Sequence, residues 1–122
     1  MKAIRALVLA VSLGLLLALP SVATAANRYV YYGACGTTSA AQSSHTCSKS
    51  SKKAAFFKSR DASVTYKVCV KYPNGTKLCA NGQPAPKGKL KSVTITSTLK
   101  GAHNITWFVG STKVGAWKLT VV

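Results

Sequence analysis

The sequence predicts an antiparallel β-sandwich of about seven short strands. Three observations carry that expectation. Apolar and polar residues alternate at the strand period in several segments. Turn-forming Gly, Pro and Asn recur every 8–12 residues or so between them. Beyond the N-terminal leader, no segment shows the periodicity of a packed helix.

The leader comes first. Met1-Lys2-Ala3-Ile4-Arg5 is a basic head, Ala6 to Leu19 an apolar run, and Val22-Ala23-Thr24-Ala25-Ala26 a small-residue cleavage site. This is the pattern of a secretory signal peptide over residues 1–25, cut after Ala25. The run of roughly 14 residues is short of the ~20 that span a bilayer. No cysteine follows the cut to carry a lipid, and no second long apolar run follows it. The mature chain is therefore expected outside the cell or on its wall, with no transmembrane segment after cleavage.

Residues 26–53 read as an N-terminal strand and a Ser/Thr/Lys-rich loop, and residues 54–122 as the sandwich. Tyr29 to Gly33 is rich in aromatic and β-branched residues and predicts the first strand. Tyr29, Tyr31 and Tyr32 are expected to pack rather than to form an exposed stacking platform. Residues 36–53 are a loop by composition. Ala54 to Phe57 predicts a short edge strand, and Arg60 to Ser63 a turn. Val64 to Tyr72 alternates, with Val64, Tyr66, Val68, Val70 and Tyr72 on one face and Thr65, Lys67, Cys69 and Lys71 on the other. Pro73-Asn74-Gly75 turns the chain, because Pro presets φ and Gly accepts the left-handed position. A three-residue loop there sets Tyr72 against Thr76, Cys69 against Cys79, and Val70 against Leu78 on the core face.

Asn81 to Gly88 predicts a crossing loop held extended by Pro84 and Pro86. Ser92 to Leu99 alternates with Val93, Ile95 and Leu99 inward. Lys100 to Ala102 turns, Asn104 to Val109 returns with Ile105, Trp107 and Val109 on one face, and Gly110 to Thr112 turns again. Val114 to Val122 closes the chain with Trp117, Leu119 and Val121 inward. Its register is open, because Gly115 suits a bulge. The sum is a sandwich that is immunoglobulin-like by architecture, with a small closed barrel of the OB type as the alternative.

Four cysteines in an exported chain of this size predict disulfides, and four allow three pairings. The local pairing, Cys35–Cys47 with Cys69–Cys79, is preferred. Opposed residues of a hairpin have Cβ atoms about 4.5–5.5 Å apart, near disulfide spacing, which is the geometric reason for Cys69–Cys79. Zinc binding is disfavoured by the lack of any Cys-x-x-Cys and by the distance in sequence between His45 and His103.

Ala55-Phe56-Phe57, the Tyr-x-Val-Cys-Val of Tyr66 to Val70, Leu78-Cys79, and Ile105 to Gly110 followed by Val114-Gly115-Ala116-Trp117 resemble small secreted immunoglobulin-like domains of actinobacteria. The resemblance covers about two-thirds of the mature chain. It implies an exported β-sandwich with no functional residues to carry over. The chain departs from antibody-type domains, where a core Trp lies between two cysteines on opposite sheets. Here Trp107 and Trp117 both follow the last cysteine, so that inter-sheet bridge is not expected.

Catalysis finds few materials. Asp61 is the one acid and there is no Glu, which excludes paired-carboxylate hydrolysis. A triad built from His45 or His103 with Asp61 lacks the Gly-x-Ser-x-Gly elbow that would expose a nucleophile. Both histidines read as solvated or turn residues. No enzyme activity, cofactor or metal is expected.

Charge is the feature that exceeds an ordinary module. Of the net +16, Lys2 and Arg5 leave with the signal, so about +14 remains on roughly 97 residues. Lysines gather at Lys49, Lys52, Lys53 and Lys58, along Lys67, Lys71 and Lys77, and at Lys87, Lys89 and Lys91. The last two groups are the candidate anion-binding residues. The expected partner is an anionic cell-wall polymer or an envelope protein, with salt-sensitive rather than sequence-specific attraction to nucleic acid. The expected function is a secreted, non-enzymatic binding or structural module at the cell envelope. The alternative is a cationic effector acting on membranes or anionic polymers, as antimicrobial proteins do.

Overall fold

In the computed structural model, residues 28–122 are described, so the signal peptide expected at 1–25 lies outside the described residues. Nine strands build two sheets: β1 (Tyr29–Ala34), β2 (Thr46–Cys47), β3 (Lys53–Ser59), β4 (Val64–Lys71), β5 (Lys77–Cys79), β6 (Gln83–Ala85), β7 (Leu90–Ile95), β8 (Gly101–Val109) and β9 (Thr112–Val121). The smaller sheet has the order β1-β3-β7. The larger has the order β2-β9-β8-β4-β5, with β6 also paired to β4. Every pairing is antiparallel except β2 with β9. The two sheets remain separate, so the closed-barrel alternative does not hold and the sandwich does.

Period-two alternation puts one face of each sheet inside. Ala55 and Phe57 of the smaller sheet meet Tyr66, Val68, Val70, Ile105, Trp107 and Leu119 of the larger in one buried cluster. The first-strand tyrosines pack, as their sequence suggests. Tyr29 stacks on Phe57 with ring centroids 5.5 Å apart, and Tyr31 tilts against Trp107 at 5.2 Å. Tyr32 points to the other face of the smaller sheet and stacks on Phe56 at 5.0 Å. There Ala34, Ala54 and Phe56 form a second small cluster, with Ala41 against it.

The β4–β5 hairpin has the register the turn chemistry dictates. Tyr72 N–H donates to Thr76 O at 2.8 Å and Gly75 lies at φ 87°. Cys69 therefore opposes Cys79. The two bridges are Cys35–Cys47 and Cys69–Cys79. They differ in what they join. Cys69–Cys79 links neighbouring strands. Cys35 follows β1 of the smaller sheet, whereas Cys47 lies in β2 of the larger, so Cys35–Cys47 crosses between sheets, although not through a central Trp.

At the last hairpin, the pairing runs from Trp107↔Gly115 to Phe108↔Lys113, which leaves Val114 as the extra residue of a bulge. Gly115 is there for space. A Cβ on it would lie 2.6–2.7 Å from ring carbons of Tyr31.

Several elements differ from the sequence reading. Ala54 to Phe57 is the middle of the central strand of its sheet, not an edge. Gln83-Pro84-Ala85 is a strand on β4, tolerated because Pro84 needs no ladder donor on an outer strand. Leu78 pairs with Val70 yet is 58% exposed, because β5 is the outermost strand of its sheet. The strand expected over Ser92 to Leu99 ends at Ile95, leaving Leu99 40% exposed. Gly101 and Ala102 open β8 instead of forming a turn. The segment 36–53 is partly strand. Ser43 bridges Ala34, and His45 O and Cys47 O accept from Thr120 N–H and Val122 N–H at 2.8 and 2.9 Å.

Candidate functional site

The outward face of the larger sheet is where alternation and register collect charge. On β4 the core takes Tyr66, Val68 and Val70, so Lys67, Cys69 and Lys71 point out. Register then aligns these with outward residues of neighbouring strands. Lys71 opposes Lys77 on β5 and Asn104 on β8, and Asn104 opposes Lys118 on β9. At about 4.8 Å per strand, the row Lys77–Lys71–Asn104–Lys118 is roughly 14 Å long. A second row runs Lys67–Phe108–Lys113. Lys67 Nζ sits 5.4 Å from the Phe108 ring centroid, a cation–π distance. Between the rows lie Cys69, Thr106 and Ala116. All five lysines are exposed.

Like charges directly opposed across strands destabilise a sheet. Lys71 and Lys77 are opposed in that way, and Asp61, the one acid, sits in the turn between β3 and β4, outside both rows. The face therefore presents uncompensated positive potential with small uncharged residues between the rows.

The other lysines go elsewhere. Lys87 and Lys89 lie in the turn between β6 and β7. Lys91 opposes Phe57 and shares the inner face of β7 with Val93 and Ile95, at the rim of the core. Lys53 is not part of a solvated cluster. It shares the inner face of β3 with Ala55 and Phe57, is 1% exposed, and its ammonium donates to Ser51 O at 2.7 Å and to Lys49 O and Ser97 O at 3.3 and 3.4 Å. Lys113 and Lys118 belong to the face and were missing from the sequence-derived set. The alternation of β9 puts both opposite Trp117 and Leu119, but the bulge at Val114 hides that parity for Lys113.

Both histidines are structural. His45 is not a free loop side chain. Its ring stacks on Trp117 with centroids 4.1 Å apart and planes within 5°, and its Nδ1–H donates to Lys118 O at 3.0 Å. Trp117 Nε1–H in turn donates to Ser44 O at 2.9 Å. His103 is fully buried in β8. Its Nδ1 faces Gly101 O at 3.1 Å, a carbonyl that only accepts, so Nδ1 carries the proton and Nε2 accepts from Ser97 Oγ–H at 2.7 Å. Ser97 Oγ also accepts Leu99 N–H at 3.2 Å. This set has a hydroxyl, a base and an orienting group, but its hydroxyl is committed to fastening the segment after β7 onto β8. Neither histidine hydrogen-bonds Asp61.

Among the described residues no three His, Cys, Asp or Glu side chains gather at metal-binding distance, and no helix is long and apolar enough to cross a membrane. Two shallow cavities lie at the open edge between β5 and β7. One, of about 290 Å³, is lined by Tyr72, Leu78, Ser97 and Leu99 among others. The other, of about 310 Å³, reaches Val68, Val70, Val93 and Ile95.

No family model matches the chain, and no curated protein matches it. Its fold is similar to the crystal structure of an immunoglobulin-like protein from Pseudomonas aeruginosa. The two share a TM-score of 0.52 and 13% identity, over 77% of this chain and 91% of the other. The chain thus has an immunoglobulin-like β-sandwich fold, the class of architecture that its strand pattern implies.

Proposed function

We propose that the protein is an exported, non-enzymatic immunoglobulin-like module that binds an anionic polymer of the cell envelope through the outer face of its larger sheet. The observation that carries this is the Lys77–Lys71–Asn104–Lys118 row, in which two lysines are opposed with no acid beside them. A sheet that accepts such repulsion offers regularly spaced cations to a chain of phosphates or carboxylates. Two disulfides suit an oxidising location. By fold-level analogy alone, an immunoglobulin-like sandwich favours a binding module over an enzyme.

Action as a cationic membrane effector is the weaker reading. It calls for large apolar side chains on the lysine face. Within the lysine rows the one large apolar side chain is Phe108, which is only partly exposed and lies against Lys67. The exposed ones among the described residues, Leu78, Leu99 and Val122, fall outside the rows, with Leu78 on the side of β5 opposite Lys77.

Titration of the labelled, oxidised mature protein with polyphosphate, followed by amide NMR, tests the reading. Shifts are expected on β4, β5, β8 and β9 around Lys67, Lys71, Lys77 and Lys118. Shifts spread evenly over every lysine would remove the face as a site.

A further inference from the structure

The sandwich is open on the edge opposite its strapped one. At one side, β2 and the Cys35–Cys47 bridge close β9 against the smaller sheet. At the other, β7 bonds only to β3 and β5 only to β4, so both sheets end in free strands among the described residues. Every second residue of such an edge turns its N–H and C=O away from the sheet. The two cavities between these strands share Tyr72, Leu78 and Thr96 and so form one groove. Its floor is the core itself, Val68, Val70, Val93 and Ile95, and its rim carries the two exposed leucines, Leu78 and Leu99.

Free edges usually invite pairing and are blunted by charge or proline. β7 has no proline, and its inward charge, Lys91, lies beside Val93 on the same face. That lysine discourages a second copy of this chain, which would also bring an equal net positive charge. It favours an occupant with a carboxylate.

We propose that this groove takes an extended, acidic segment of another polypeptide, which adds as a strand to the free edge of β7. Main-chain bonds to the edge supply affinity, and apolar side chains at alternate positions fill the space over Val70, Val93 and Ile95. A carboxylate of the segment meets Lys91. This surface is distinct from the lysine rows, which lie on the other side of β5.

The test is an NMR titration of the labelled, oxidised mature protein at about 150 mM salt, where long-range attraction is screened. The probes are a synthetic peptide alternating Thr with an inward set of Val and Glu, so that Glu lies on the same side of the strand as Val and meets Lys91, and its counterpart with Lys for Glu. The acidic peptide is expected to slow hydrogen exchange at outward amides within Leu90–Ile95 and to shift Val70 and Val93 while leaving Lys118 unmoved. The double variant Leu78→Ser/Leu99→Ser changes only exposed side chains, and it should weaken binding about fivefold, that is ~1 kcal/mol. Four results would each overturn the proposal: no binding, equal binding of the Lys peptide, shifts confined to the lysine rows, or a peptide-free dimer through β7 in sedimentation.

Discussion

Lys71 on β4 and Lys77 on β5 are direct cross-strand partners, and the other neighbour of Lys71 is the uncharged Asn104. Stability and binding are therefore set against each other at this pair. Lys77→Glu replaces repulsion by attraction and should stabilise the fold by about 0.5 kcal/mol. The same change should lower the salt concentration needed to elute the protein from a polyphosphate column. Thermal melting and elution read the two effects separately.

Gly115 and Tyr31 are also locked together. Gly115→Ala pushes a methyl to within 2.6 Å of the Tyr31 ring, and overpacking of this kind costs about 1–3 kcal/mol. In a Tyr31→Ala background the same substitution should cost much less. Denaturant midpoints of the four chains measure the coupling.

Tyr66 is 1% exposed and its hydroxyl has no hydrogen-bond partner. Tyr66→Phe should thus be neutral or stabilising by up to ~1 kcal/mol, since it removes an unpaired buried group. Burial also holds the Tyr66 hydroxyl above its usual ionisation range. A raised acid in the folded state leaves stability intact below the unfolded tyrosine value of about 10 and erodes it above. Alkaline unfolding should begin later in Tyr66→Phe than in the parent, as followed by tyrosine absorbance and circular dichroism.

The Cys35–Cys47 bridge closes a loop of 12 residues, which the chain-entropy model values at about 3 kcal/mol. Its local role is to hold Ser44 and His45 on Trp117. Replacing both cysteines with Ala should red-shift tryptophan emission before global unfolding, as Trp117 loses its cover. The Cys69→Ala/Cys79→Ala pair should not, because the β4–β5 register is also held by the turn at Gly75.

What could be read from residues alone follows from range. The Cys69–Cys79 register needs only the turn chemistry of three residues between two alternating runs, and it was legible. So were the inward faces of β4 and β8. The exposure of Leu78 was not, because it depends on β5 having no neighbour, and strand order is a property of the whole chain. Lys53 looked like part of a basic cluster. The alternation Lys53, Ala55, Phe57 would have placed it inward, but its three carbonyl partners come from loops that composition does not position. His45 and Trp117 are far apart in sequence and meet only because β2 straps onto β9. The lysine face was half visible: Lys67, Lys71 and Lys77 lie on one predicted hairpin, whereas Lys118 joins them only through the order β9-β8-β4-β5.

The most direct measurement is co-sedimentation of the oxidised mature protein with isolated cell wall and with polyphosphate, at low and high salt, for the parent, for Lys71→Ser/Lys77→Ser/Lys118→Ser, and for Lys87→Ser/Lys89→Ser. The account predicts wall binding that persists further into salt than polyphosphate binding, is lost in the first variant and is kept in the second. Equal loss in both variants, or no retention of the parent on wall at any salt, would contradict it.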